Sequence, residues 1–171
     1  PGRFTVTNVP RGTIEITNNT PAASFALAGP TPIAGTGRSL IRSNAVAGEY
    51  TITFSPLPYF DAPAPQTQML TESSKITFTG NYTFADVNNN QMPDSWEQEQ
   101  FGEVSGTRTA ATDTDADGFT DRAEFVAGTL PTNPDSKLVV ATVQVLGNNR
   151  ATVTWPATDG KLYQLLGTTD G

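Results

Sequence analysis

Five carboxylates crowd into the twelve residues from Asp113 to Glu124, DTDADGFTDRAE. Asp113, Asp115, Asp117, Asp121 and Glu124 hold positions 1, 3, 5, 9 and 12 of this segment. Gly118 holds position 6, and Phe119 at position 7 offers its main-chain carbonyl. Oxygen ligands at this spacing wrap a Ca2+ ion: alternate side chains point inward, a glycine allows the sharp turn, and a long terminal carboxylate closes the shell through both oxygens. Without a cation, like charges packed this densely repel one another.

A second segment of the same spacing lies 27 residues upstream, DVNNNQMPDSWE. Asp86, Asn88, Asn90, Asp94 and Glu97 take positions 1, 3, 5, 9 and 12, with Met92 at the carbonyl position. This loop has three carboxylates where the downstream loop has five. Its position 6 is Gln91, and a non-glycine residue forced into a left-handed conformation costs on the order of 1 kcal/mol. Two unequal Ca2+ sites are therefore expected, with the downstream one tighter.

The elements that must position these loops differ from those of an EF-hand. No helix-length pattern precedes either loop. Pro93 at position 8 lacks the N–H needed for the short β-bridge that pairs EF-hand loops. Each loop leads instead into a short exit helix. Pro93 suits a first helical turn, and Gly102 and Gly128 suit helix ends. Phe119, Ala123 and Val126 share one helical face by spacing, and Trp96 and Phe101 are expected to pack against it.

The rest of the composition narrows the chemistry. Among 171 residues there is no Cys and no His. Disulfides, thiol catalysis and any Ser-His-Asp or Cys-His site are thereby excluded from this chain alone. The net charge of −7 is local: residues 86–124 hold ten acids against Arg108 and Arg122. Nothing supplies the basic face that nucleic-acid binding requires. No apolar run is long enough for a transmembrane helix. The acids are committed to the loops rather than paired across a cleft, so no catalytic role is expected.

Thr, Gly and Pro are frequent, which favours a mainly β protein. Residues 10–84 read as a small antiparallel β-sandwich, with alternation at Ile14 and Ile16, at Phe25 and Leu27, at Tyr50, Ile52 and Phe54, and at Ile76, Phe78 and Tyr82. Gly29 to Gly37 reads as loop. The segments AGEYTITFSPLPYFDAPAPQTQML and KITFTGNYTF resemble PEGA-like and carboxypeptidase-regulatory-like modules of large bacterial surface proteins. Tyr59 and Phe60 form either a sugar-stacking platform for a surface polysaccharide or a plug at the end of the sandwich.

The loops carry a second resemblance. DVNNNQMPDSWEQEQFG and DTDADGFTDRAEFVAGTLPTNPDS look like the paired calcium loops of dockerin-like and thrombospondin type 3 modules. That resemblance implies Ca2+ held for structure, outside the cell and without catalysis. It places the calcium segment at 85–136, as a link between two β regions. Residues 137–171, through RATVTWPATDGKLYQLL, resemble the opening strands of a fibronectin type III-like domain, with strands at 138–145, 151–155 and 162–166 and Trp155 in its core.

Residues 1–9 read as a strand whose pattern matches residues 79–87, as though closing a preceding module. Terminal strands of this kind pair with neighbouring β-domains or with other copies of the chain. The expectation is a calcium-stabilised structural or adhesion protein, secreted or on a cell surface. The alternatives are a filament subunit that shares terminal strands, and a carbohydrate-binding region of a polysaccharide-degrading enzyme.

Overall fold

A computed structural model describes residues 8–147, 150–158 and 161–166. The expected N-terminal strand over 1–9 falls almost wholly outside these residues. The described chain is mainly β, with two short helices and predominantly antiparallel sheets, as composition and patterning predict. It divides into two compact units, Pro1–Thr83 and Phe84–Gly171.

The first unit is a two-sheet sandwich. Its seven strands are β1 (Arg11–Asn18), β2 (Ser24–Ala28), β3 (Ile33–Thr36), β4 (Ser39–Val46), β5 (Gly48–Phe54), β6 (Gln66–Leu70) and β7 (Lys75–Gly80). One sheet has the order β4-β1-β7 and the other β3-β2-β5-β6. Alternation turns Ile14 and Ile16, Phe25 and Leu27, Tyr50, Ile52 and Phe54, and Ile76 and Phe78 into one shared core. Ile16 sits opposite Phe78, and Leu27 opposite Ile52.

Three features differ from the sequence reading. The first sheet is mixed, because β1 runs parallel to β7. Residues 29–37 are not all loop: β3 pairs with β2, from Ser24 opposite Thr36 to Leu27 opposite Ile33. Gly35 is required there because a Cβ would come within 2.7 Å of the Phe25 ring. Strand β4 has no alternation to read. It buries only Ala45 and leaves Ile41 exposed.

Tyr82 lies beyond β7 yet is buried, with its hydroxyl donating to the Ser55 carbonyl at 2.7 Å and its ring edge-on to Phe54. Asn19 fixes this exit: its Nδ2 donates to the Tyr82 carbonyl at 2.7 Å and its Oδ1 accepts from the Tyr82 N–H at 3.0 Å. Phe60 is half-buried against the sandwich core, in a turn bridging Leu57 and Phe60, and Tyr59 beside it has a left-handed backbone.

The second unit holds α1 (Asp94–Phe101), α2 (Asp121–Ala127) and a hairpin of β8 (Thr142–Gly147) and β9 (Arg150–Thr154). Residues 138–140 and 162–166 are not strands, contrary to the alternation they display. Residues 138–140 lie along an apolar groove with α2, and the segment 158–163 is tied to α2 and its C-terminal end by polar contacts. Tyr163 donates its hydroxyl to the Ala127 carbonyl at 2.7 Å, Thr158 donates to the Gly128 carbonyl at 2.9 Å, and Lys161 donates to the Phe125 carbonyl. Trp155 is half-buried rather than a core residue.

Candidate metal centre

The two loops, Asp86–Glu97 and Asp113–Glu124, end in the first turns of α1 and α2. Both helices stop at a left-handed glycine, Gly102 (φ 76°) and Gly128 (φ 80°). Thr120 caps α2 by accepting from the Ala123 N–H at 3.1 Å. Helix starts and stops therefore lie where the proline and the glycines predict.

Within the loops, the same hydrogen bonds recur at the same positions. At position 1, Asp113 accepts from the N–H groups of Asp117 (3.3 Å) and Gly118 (3.0 Å), and Asp86 from those of Asn90 (3.0 Å) and Gln91 (2.9 Å). At position 3, Asp115 accepts from Asp117 N–H at 3.2 Å and Asn88 from Asn90 N–H at 3.3 Å. At position 5, Asp117 accepts from Phe119 N–H at 2.8 Å and Asn90 from Met92 N–H at 2.9 Å. At position 9, Asp121 accepts from Thr114 N–H at 2.9 Å and Asp94 from Val87 N–H at 3.0 Å. The position-9 N–H closes each loop at 2.8 Å, on Thr112 in one and Ala85 in the other.

Side-chain oxygens thus hold each loop's own backbone in a tight coil. The coil needs left-handed residues at two positions. Gly118 (φ 95°) and Gln91 (φ 66°) take position 6, as expected. Ala116 (φ 60°) and Asn89 (φ 55°) take position 4. The Ala116 conformation was not signalled by its residue type, since alanine disfavours it.

In the downstream loop, carboxylate oxygens of Asp113, Asp115 and Asp117 lie within 4.8 Å of one another, close enough to share one metal ion. Three buried oxygens around this point have no hydrogen-bond partner among the described residues: Asp115 Oδ2, Asp117 Oδ2 and Glu124 Oε2. Buried charged oxygens of this kind are unstable unless a cation satisfies them. Glu124 is 1% exposed and uses only Oε1, which accepts from the Thr129 hydroxyl at 3.0 Å. Asp121 is fully buried, but Thr114 Oγ1 (2.7 Å) and Arg108 Nε (3.4 Å) already engage its Oδ2. Phe119 leaves its side chain partly exposed, whereas Met92 is fully buried.

Burial pushes the Glu124 carboxyl up to about 7, with Asp115, Asp117 and Asp121 adding repulsion and the Thr129 hydroxyl opposing the rise. The sign of the consequence is fixed. An unfolded glutamate ionises near 4.5, so between roughly pH 4.5 and 7 the folded state binds the extra proton. In ion-free buffer, stability should therefore fall as pH rises through that window, by an amount on the order of 2 kcal/mol. Urea titrations at pH 5 and pH 8 with chelator check this.

Arg108, Lys137 and Thr129 contact carboxylates of the loops, which spacing did not reveal. Arg108 bonds Glu97 through Nη1 at 3.1 Å and stacks 3.5 Å over the Phe101 ring. Its rarity was the available signal: it is one of two bases among residues 86–124. Lys137 places Nζ 3.2 Å from the Asp117 carbonyl and 3.6 Å from its Oδ2.

The helix packing corrects the expected face. Trp96 packs edge-to-face with Phe101 and tilted against Phe125, with ring centroids 5.7 and 5.3 Å away. Val126 is exposed, and Phe119, Ala123 and Val126 line an apolar groove with Leu138, Trp155 and Leu162. The inward face of α2 is Asp121, Glu124 and Phe125.

No protein-family model matches the chain, and a search of curated proteins finds none that is significantly similar.

Proposed function

We propose that this chain is a non-catalytic structural or adhesion protein whose second unit is stabilised by Ca2+ in the Asp113–Glu124 loop, outside the cell. The observation that carries the reading is the set of three buried carboxylate oxygens on Asp115, Asp117 and Glu124 that receive no hydrogen bond among the described residues, with only the Lys137 ammonium, 3.6 Å from Asp117 Oδ2, as a counter-charge. They are hard oxygen donors with no nitrogen or sulfur among them, the donor set that suits Ca2+ over softer metals. Extracellular sites with Kd about 10⁻⁴ M fill at millimolar Ca2+. An ion that binds only the folded form adds roughly 1–3 kcal/mol at tenfold to hundredfold excess. A thermal melt in millimolar Ca2+ against one in chelator tests the reading. A rise of about 2–4 °C per kcal/mol is expected, and coincident melts would remove it.

Lys137 competes with the ion for Asp117. Replacing it with Met should raise Ca2+ affinity by about threefold, since a single partly exposed charge near the site contributes on the order of 0.5–1 kcal/mol. Isothermal titration of the two proteins measures the difference.

A second reading, assembly through shared strands, draws support from the hairpin of β8 and β9. Val143 and Val145 on β8 are 64% and 78% exposed, unusual for apolar strand residues. Monodisperse particles in negative-stain images under native conditions would sink this second reading without touching the first.

A further inference from the structure

The two loops share a backbone but differ in what fills their centres. In the downstream loop, Glu124 Oε2, Asp115 Oδ2 and Asp117 Oδ2 are buried and receive no hydrogen bond among the described residues, and only Asp117 Oδ2 has a cation near it, Lys137 Nζ at 3.6 Å. In the upstream loop both oxygens of the matching Glu97 have donors. Oε1 accepts from Arg108 Nη1 at 3.1 Å and from Asn88 Nδ2 at 3.2 Å, and Oε2 accepts from Asn88 Nδ2 at 3.1 Å. Glu97 is fully buried, so a compensating charge is needed, and the Arg108 guanidinium supplies it.

The amide orientations are fixed by their partners. Asn88 Nδ2 also donates to the Ser105 carbonyl at 3.0 Å, and an oxygen in its place would face three acceptors. Asn90 Oδ1 accepts from the Met92 N–H, which leaves its Nδ2 buried and unpartnered. Two amide nitrogens therefore stand where the downstream loop sets two carboxylate oxygens that receive no hydrogen bond. A nitrogen carrying two protons repels a metal ion.

We propose that Arg108 is the resident cation of the upstream loop, so that the chain takes one Ca2+ ion, in the downstream loop alone. Arg108 is then a positioning residue for both loops, since Nη1 holds Glu97 and Nε reaches Asp121 Oδ2 of the downstream loop at 3.4 Å. Its guanidinium is planar and permanently charged, and its side chain is 11% exposed with the charge lying over the Phe101 ring.

The inference rests on the reading of the downstream loop as an ion site, and ion counting separates the two. Native mass spectrometry of the whole chain, titrated with CaCl2, should give one ion per chain. The count should stay at one in Glu97→Gln and fall to zero in Glu124→Gln. Two ions in the wild type would overturn the inference and leave the downstream ion reading standing, whereas loss of a single ion in Glu97→Gln with retention in Glu124→Gln would overturn both. No ion in the wild type would overturn both. A second measurement addresses Arg108 itself. Arg108→Met should lower the melting temperature in chelator, and adding Glu97→Gln should recover part of the loss, because it removes the orphaned charge. A merely packing role on Phe101 gives no such recovery, and its absence would overturn the assignment.

Discussion

Glu124→Gln should reverse its effect on stability when Ca2+ is added. In chelator at pH 8 the variant melts above the wild type, because a buried carboxylate that burial and three aspartates disfavour is replaced by a neutral amide. In millimolar Ca2+ it melts below the wild type. The amide nitrogen cannot ligate, and losing a charged ligand of a desolvated site weakens binding by roughly 3 kcal/mol, about a hundredfold. Differential scanning calorimetry of both proteins under both conditions gives the four temperatures. Parallel shifts, with no crossing, would mean that Glu124 is buried for a reason unrelated to a cation.

Phe78→Ala should destabilise the first unit by about 3–5 kcal/mol. Phe78 is fully buried at the centre of the sandwich, beside Ile16 on the adjoining strand. Its truncation leaves a cavity that two close-packed sheets cannot collapse into. The loss should be the same with and without Ca2+, since every loop residue belongs to the other unit. Urea unfolding followed by Tyr fluorescence measures it, since Tyr50, Tyr59 and Tyr82 lie in the first unit and both tryptophans in the second. A loss below about 1 kcal/mol would show that the site collapses.

Much of this was legible in the sequence, and the exceptions have physical causes. The repeat of the two loops was legible because oxygen-bearing side chains sit at the same intervals in both, and the hydrogen-bond network they make repeats position by position. Strands β1, β2, β5 and β7 were legible because one face of each is buried. Strand β4 was not, because it buries a single residue and pairs through its backbone. The face of α2 was misjudged because apolar spacing was counted alone. In a seven-residue helix whose Glu124 must reach into the loop, the acids at 121 and 124 fix the rotation, and Phe125 follows them inward. Arg108 was hidden in a Thr- and Gly-rich stretch, since no spacing rule links it to two loops at once.

The parallel pairing of β1 with β7 also sets the order in which the chain takes shape. Thr17 lies beside Thr79, 62 residues later, whereas each acidic loop closes within twelve. Closing a long loop is slow, and sheets built on distant pairs form in about milliseconds to seconds. During synthesis Ile14 and Ile16 emerge first and stay unpaired on one side until residue 80 has followed. The second unit, which follows the first in the chain, coils locally around its carboxylates. In stopped-flow refolding its Trp96 signal should appear before the sandwich signal from Tyr50, and only the earlier phase should speed up with Ca2+.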